Sequence, residues 1–342
     1  MKQFVGNLIR ILASRTLMSR RRLARWTARA ALGLVVAVVV LIIFVTLTPW
    51  GRAGFHTALF VSQVLELGVK PQGWFTSQPV RQEVTYPQAK GEGVADIYRI
   101  TDEPGAPGRA AVLIFLGANA AGRDDKDVIN LGNALARSGF VVMVHWSPTM
   151  ALRHNIDPDE IENLVWAFQY LAGQDYVDPQ RLGMGGFCVG ASFALVAAAD
   201  PRINGDVAFL NAFGPYYDAP DLLLQVASRS TIYQDQREPW DPDITTMRVL
   251  ANELVETLED SRERALLEDL LINRVPVSEQ DLAGLSVPAQ GVRRLLEGTS
   301  LEEARLLYQS LPAGFREGMN QISPSAHHGN LKARVTIMHD RN

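Results

Sequence analysis

The 342-residue sequence predicts an α/β fold: a mainly parallel sheet flanked by helices, with a helical insertion and an apolar helix near the N-terminus. Three observations predict it. Continuously apolar runs of strand length alternate with helix-like segments, the pattern of strands buried on both faces. The third of those runs leads through a glycine-rich passage, Gly183–Ser192, directly into an apolar helix-like run. A stretch of about 100 residues without strand pattern then intervenes before a strand signal resumes at Ala333, too long for a plain loop.

Residues 1–29 carry eight basic side chains and no acid, so the remainder of the chain is −12 against an overall −4. Such asymmetry points to an anionic surface near the N-terminus, and the balance of the rest gives no reason to expect nucleic-acid binding. Ala30–Leu47 contains no charge, and Trp50 follows at a position suited to an interface. The expectation is a retained transmembrane anchor over residues 30–50, with the basic segment 1–29 cytoplasmic and everything after Trp50 on the far side. Against a cleaved signal peptide stand the long basic region and the lack of a small-x-small cleavage site. Residues 4–18 read either as a basic amphipathic helix or as a disordered tail.

Residues 51–79 read as a helical connector. Val80–Tyr86 and Gly93–Ile100 alternate as strands with one wet face, closed off by the Pro/Gly cluster beginning at Asp102. Ala110–Leu116 is the first buried strand. Asp125–Ser138 is helical, with Val128, Leu131 and Leu135 in register and Gly139 as a stop. Phe140–Trp146 is the second strand. Asp157–Gly173 is a helix with Asp157 as cap, Pro158 in the first turn and Glu160 three residues on. Arg181–Phe187 is the third strand and Asp206–Phe213 the fourth. From 219 to 321 the strand pattern stops, and leucines recur at helical spacing, most clearly over Asp243–Asn273. Ser300-Leu-Glu-Glu reads as a capping box. The domain reading is therefore 80–218 and 322–342 as one sheet domain, with 219–321 inserted as a helical cap.

The chemistry centres on Gly186-Phe187-Cys188-Val189-Gly190. It is the strand–turn–helix pattern G-x-nucleophile-x-G, with cysteine as the nucleophile and glycines Gly186 and Gly190 where a Cβ would meet neighbouring backbone. The chain has one cysteine, so no intrachain disulfide forms. A thiol at a helix N-terminus is expected to have its pKa lowered. His327-His328 lack a carboxylate or cysteine partner at ligand spacing and read as a solvated turn rather than a metal site. No motif calls for a cofactor.

The order of elements and the Gly-Phe-Cys-Val-Gly elbow resemble the α/β-hydrolase superfamily, and within it the dienelactone hydrolase branch, over residues 80–218 and 322–342. The resemblance implies Cys188 as nucleophile and the Val189 backbone N–H as one oxyanion donor, with Ala118 in the loop 117–119 as the other. Asn119 is a possible pocket contact. It further implies an acid after the last strand and a histidine one strand later. By that register the acid falls just beyond Asn342, so the sequence reads as truncated and this chain as inactive. None of His56, His145, His154, His327, His328 or His339 occupies the family position; Asp340 falls three positions early, and Asp218 is a possible alternative acid. The implied activity is hydrolysis of a small-molecule carboxylic ester or related acyl bond through a thioester. Acyl transfer, or a non-catalytic binding protein on the same scaffold, are the alternatives.

Overall fold

The computed structural model describes residues 26, 29, 31–65, 68, 70–88, 90–101, 105–118, 121–233 and 236–339. The chain divides into two compact units, Met1–Pro71 and Gln72–Asn342.

In the first unit, helix α1 (Ala31–Leu47) is followed by α2 (Pro49–Val64), and the two meet at 100°. This corrects the expected single anchor helix: among the described residues no one helix is long and apolar enough to cross a membrane, and only the bent pair passes together. Local chemistry builds the corner. Thr48 leaves the helical region (φ −106°, ψ 141°), and Pro49 starts the next helix. The Thr48 hydroxyl donates to the Phe44 carbonyl at 2.7 Å and accepts the Gly51 N–H at 2.9 Å. A Cβ on Gly51 would lie 2.2 Å from the Phe44 oxygen, so only glycine permits the turn this close.

The second unit holds a seven-stranded sheet. Its strands are β1 (Val80–Gln88), β2 (Gly91–Arg99), β3 (Arg109–Phe115), β4 (Val141–Trp146), β5 (Val177–Phe187), β6 (Phe209–Phe213) and β9 (Arg334–Met338), in the order β1-β2-β4-β3-β5-β6-β9. β1 and β2 pair antiparallel, as do β2 and β4; every other pair is parallel. The flanking helices are α3 (Gln72–Phe75), α4 (Lys126–Arg137), α5 (Pro148–Arg153), α6 (Asp159–Ala172) and α7 (Val189–Ala198).

The central parallel strands are largely apolar where helices cover both faces; β4 is buried along its whole length. All ten residues of α7 are buried, which is why its sequence is apolar all round rather than amphipathic. Phe115, Phe168 and Phe193 are fully buried and each stabilises the fold by about 2–3 kcal/mol. Asp125 caps α4 by accepting the Asp127 N–H at 2.8 Å, and Gly139 ends it at φ 99°. β9 is one of the two sheet edges among the described residues, and its Ile337 and Met338 are exposed.

Between β6 and β9 lie α8 (Ala219–Ala227), α9 (Ile244–Glu256), α10 (Ser261–Leu267), α11 (Glu279–Ala283), α12 (Val287–Glu297), α13 (Leu301–Ser310), α14 (Ala313–Gln321) and α15 (Pro324–His327). They enclose a core of their own that includes Leu250, Leu254, Leu267, Leu295 and Leu296. Two expectations need correction. The segment is not free of strands: β7 (Ser230–Tyr233) and β8 (Gln236–Pro239) form an antiparallel hairpin. The helix read over Asp243–Asn273 breaks after Glu256, because Asp260 caps a new helix by accepting the Arg262 and Glu263 N–H groups. At Ser300 the capping hydroxyl accepts the Glu303 N–H at 3.2 Å. The Glu303 carboxylate turns to Thr299 and Arg294, so the box is half closed.

Candidate active site

Cys188 sits between β5 and α7 with φ 52° and ψ −130°, a conformation that side-chain-bearing residues rarely adopt. Backbone contacts on both sides hold it there. Its N–H donates to the Phe213 carbonyl at 2.8 Å, and its carbonyl accepts the Ala191 N–H at 3.0 Å, the first turn of α7. The glycines of the turn are close-approach positions. A Cβ on Gly186 would lie 2.5 Å from the Gly190 oxygen. One on Gly190 would lie 2.5 Å from the Phe115 oxygen and 2.6 Å from the Gly117 nitrogen. Gly117 has φ 67° and its own Cβ would meet the Gly190 nitrogen at 2.4 Å. The loop after β3 therefore lies directly against the start of α7, which sets Ala118 beside the elbow. Ala118 and Val189 are both nearly buried. Asn119 lies outside the described residues, as does Asp340.

The thiol reaches solvent, yet protein surrounds it closely enough that desolvation raises its pKa; the Val189 N–H lowers it and the negative field of Asp243 raises it again. The net direction is upward. This corrects the expectation of a thiol lowered by its helix: the helix N-terminus contributes through one N–H, and burial outweighs it. Asp243 is the N-cap of α9, where its carboxylate accepts the Thr245 N–H at 2.8 Å and the Thr246 N–H at 3.1 Å.

The histidines divide clearly. His145 is buried on β4, between the Tyr86 hydroxyl at Nδ1 (2.5 Å) and the Glu160 carboxylate at Nε2 (2.6 Å). Burial would raise Glu160, but its bonds, with His145 foremost, hold it below its ordinary value. His154 is left-handed (φ 57°) and ends α5; its Nδ1 donates to the Ala118 carbonyl at 3.1 Å. His327 and His328 bond backbone carbonyls of Gln321 and Ser325. The rings of His145, His154, His327 and His328 thus bond partners other than the Cys188 sulfur, and among the described residues no three His, Cys, Asp or Glu side chains form a metal-binding group. Asp218 caps α8 by accepting the Asp221 N–H at 3.0 Å and takes the Ser325 hydroxyl at 2.7 Å. Ser192 is fully buried and donates to the Tyr216 carbonyl at 2.9 Å.

Two features near the elbow carried no sequence signal. The far end of the loop after β3 is pinned by Arg123, whose Nη2 and Nε donate to Asp96 at 2.8 and 3.1 Å. Asp96 is buried on β2 and also accepts from Arg81 (3.0 Å) and the Trp146 indole (2.8 Å). Burial by itself would raise this carboxyl; the two guanidiniums and the indole outweigh it and hold it below the usual range. The second feature joins α9 to residues 153–156. Asn252 donates to the Arg153 and His154 carbonyls at 2.8 and 3.3 Å, and Glu253 accepts the Ile156 N–H at 2.6 Å.

Burial pushes the Glu253 carboxyl up to about 7, with Glu256 and Asp157 adding to the rise and the Ile156 N–H opposing it. A carboxyl whose folded pKa exceeds its unfolded value loses stability as pH rises between the two. The unit is therefore expected to be less stable at pH 8 than at pH 5 through this group. Glu253→Gln, which keeps the acceptor, should remove that slope and stabilise at pH 8 by on the order of 2 kcal/mol, allowing for part exposure. Urea midpoints of both proteins across this range check it; parallel pH profiles would refute it.

Residues 100–235 match the model of the dienelactone hydrolase family. That stretch, which includes the Cys188 elbow, is similar to the dienelactone hydrolases, and the mostly parallel sheet with flanking helices fits an α/β-hydrolase fold. No curated protein matches the chain. Among solved structures it is similar to an acylaminoacyl peptidase in complex with a chloromethyl ketone, at 12% identity and a TM-score of 0.43, covering 77% of this chain and 32% of that one. It is also similar to a dienelactone hydrolase-like promiscuous phosphotriesterase from metagenomic libraries, at 17% identity and a TM-score of 0.32, covering 41% and 60%. Oligopeptidase B from Trypanosoma brucei is similar at 10% identity and a TM-score of 0.35, covering 42% and 21%. The chain thus spans about a third of the peptidase's length, and at these scores the likenesses add nothing to the sheet order itself.

Proposed function

We propose that this dienelactone hydrolase-like chain hydrolyses a carboxylic ester or related acyl bond of a small molecule, with Cys188 as nucleophile. The observation that carries the reading is the strained Cys188 at the strand–helix turn, with the loop after β3 packed against the same turn. The thiolate attacks the acyl carbon, the carbonyl π electrons move to oxygen, and the Val189 and Ala118 N–H groups face the oxyanion. Collapse expels the alcohol and leaves a thioester, which water then cleaves. The thiol rests protonated, because burial outweighs the helix N–H, so attack requires a base. In this reading α1 and α2 hold the protein at a membrane, with the basic N-terminal segment cytoplasmic and the sheet domain on the other side.

Incubation of the full chain with p-nitrophenyl acetate is expected to release a burst of nitrophenolate and to leave one acetyl group on the Cys188 peptide. The rate should still be climbing above pH 9, since the thiol is raised. Cys188→Ala should abolish both. Acetyl transfer that survives Cys188→Ala would overturn the reading. The membrane arm is checked by retention of the chain in alkali-washed membranes; release into the wash would refute it.

One observation favours a second reading, a binding protein on a hydrolase scaffold: the rings of His145, His154, His327 and His328 are engaged with partners other than the Cys188 sulfur. Absence of acetylation in the wild-type chain at every pH would select it.

A further inference from the structure

We infer that His154 is a positioning residue for the oxyanion loop, and that it ties that loop to the helical insertion through α9. The inference rests on the reading of Cys188 as nucleophile and of the Ala118 N–H as the second donor. Three links carry it.

The first is the bond from His154 Nδ1 to the Ala118 carbonyl at 3.1 Å. The carbonyl can only accept, so Nδ1 carries the proton. Gly117 is already wedged against Gly190, with no room for a Cβ. Ala118 is therefore held at both ends, by packing on its N-terminal side and by an imidazole on its carbonyl. A donor in a reaction of this kind must be aimed before charge develops, and a misplacement of about 1 Å costs on the order of a hundredfold in rate.

The second link is the backbone of His154 itself. A left-handed conformation in a residue with a Cβ is costly, and glycine or asparagine adopts it more readily. A histidine here is explained by its ring, which a glycine would not supply. The bond closing the turn, from the His154 N–H to the Met150 carbonyl at 3.2 Å, is a backbone one and asks nothing of the side chain.

The third link is α9. Asn252 donates to the carbonyls of both Arg153 and His154, Glu253 accepts from Ile156, and Asn155 donates to Glu256. Four polar bonds from one face of one helix thus grip the short segment that carries His154. Asp243, whose field reaches the Cys188 thiol, caps the other end of the same helix. Seating of α9 on the sheet domain and aim of the oxyanion loop are in this way mechanically joined. A substrate that displaces α9 would disturb the donor, whereas one that lets it seat would find the donor in place.

The test compares two reactions of Cys188 in the full chain. Acetylation by p-nitrophenyl acetate passes through an oxyanion; alkylation by iodoacetamide does not. His154→Gly keeps the left-handed backbone and removes the ring. It is expected to slow acetylation about tenfold to a hundredfold while leaving alkylation within twofold. His154→Asn keeps both the backbone preference and an N–H donor, and should recover part of the loss. Asn252→Ala, at a half-buried position, should slow acetylation about threefold to tenfold, again sparing alkylation. Equal slowing of both reactions would mean a structural role only and would overturn the inference, as would unchanged acetylation in His154→Gly. Wild-type acetylation that does not depend on Cys188 would instead overturn the parent reading, and this one with it.

Discussion

Gly190→Ala is expected to cut acetylation of Cys188 at least a hundredfold and to destabilise the sheet domain. A methyl group on Gly190 would lie 2.5 Å from the Phe115 oxygen and 2.6 Å from the Gly117 nitrogen. Both are backbone atoms, one at the end of a central strand and one at the root of the loop after β3, so neither can swing aside as a side-chain tip would. Two effects compete. Gly190 is in the first turn of α7, and replacing a helical glycine by alanine favours the helix by up to about 1 kcal/mol. Overpacking of a tight site costs about 1–3 kcal/mol or more. The clash should win, and because relief requires the loop to move, activity should fall further than stability. Urea unfolding and the nitrophenolate burst read the two quantities separately. Acetylation at the wild-type rate would show that the loop does not aim a donor at Cys188.

The second large effect is expected at Asp96. This carboxylate is buried and accepts from Arg123 twice, from Arg81 and from the Trp146 indole. Removing it leaves two guanidiniums near each other and a buried indole N–H without an acceptor. Breaking a buried ion pair from one side costs about 3–5 kcal/mol; here the indole N–H stays buried while both guanidiniums keep part of their hydration, which places the cost at the low end of that range. Asp96→Ala should therefore lower the thermal midpoint by about 10 °C or more. Asp96→Asn, which retains an acceptor oxygen but no charge, should lose about half as much. Glu83 and Asp124 also pair with these arginines, but both are largely exposed and are expected to compensate little. A midpoint shift of only a degree or two in Asp96→Ala would show that the cluster is solvated and exchanges partners freely.

Much of the sheet domain was legible because its signals are local. The buried strands announce themselves as unbroken apolar runs, and Asp125 and Gly139 delimit α4 by side chains within a turn of its ends. The elbow was legible for the same reason: Gly186, Cys188 and Gly190 fall within five residues, and the backbone turn they permit is itself local. The hairpin Ser230–Pro239 was not legible, since Gln-Arg-Glu-Pro shows neither alternation nor apolar character. The break after Glu256 was missed because leucine spacing continues through it, and only the Asp260 cap marks the restart.

By itself the sequence determined the class of fold, the position of the cysteine proposed as nucleophile and the glycines that let it turn, because each depends on neighbours within one strand or one helical turn. It also determined that the N-terminal region is apolar and bounded by basic residues. Only the tertiary structure decided that the apolar helix ends in a 100° corner at Thr48. Only it decided that burial raises the Cys188 thiol against the pull of its own helix. And only it brought His154, Ala118 and Asn252 together from three distant parts of the chain. The physical reason is common to all three: desolvation and long-range hydrogen bonds depend on what folding places around a group, and residue order alone does not carry that information.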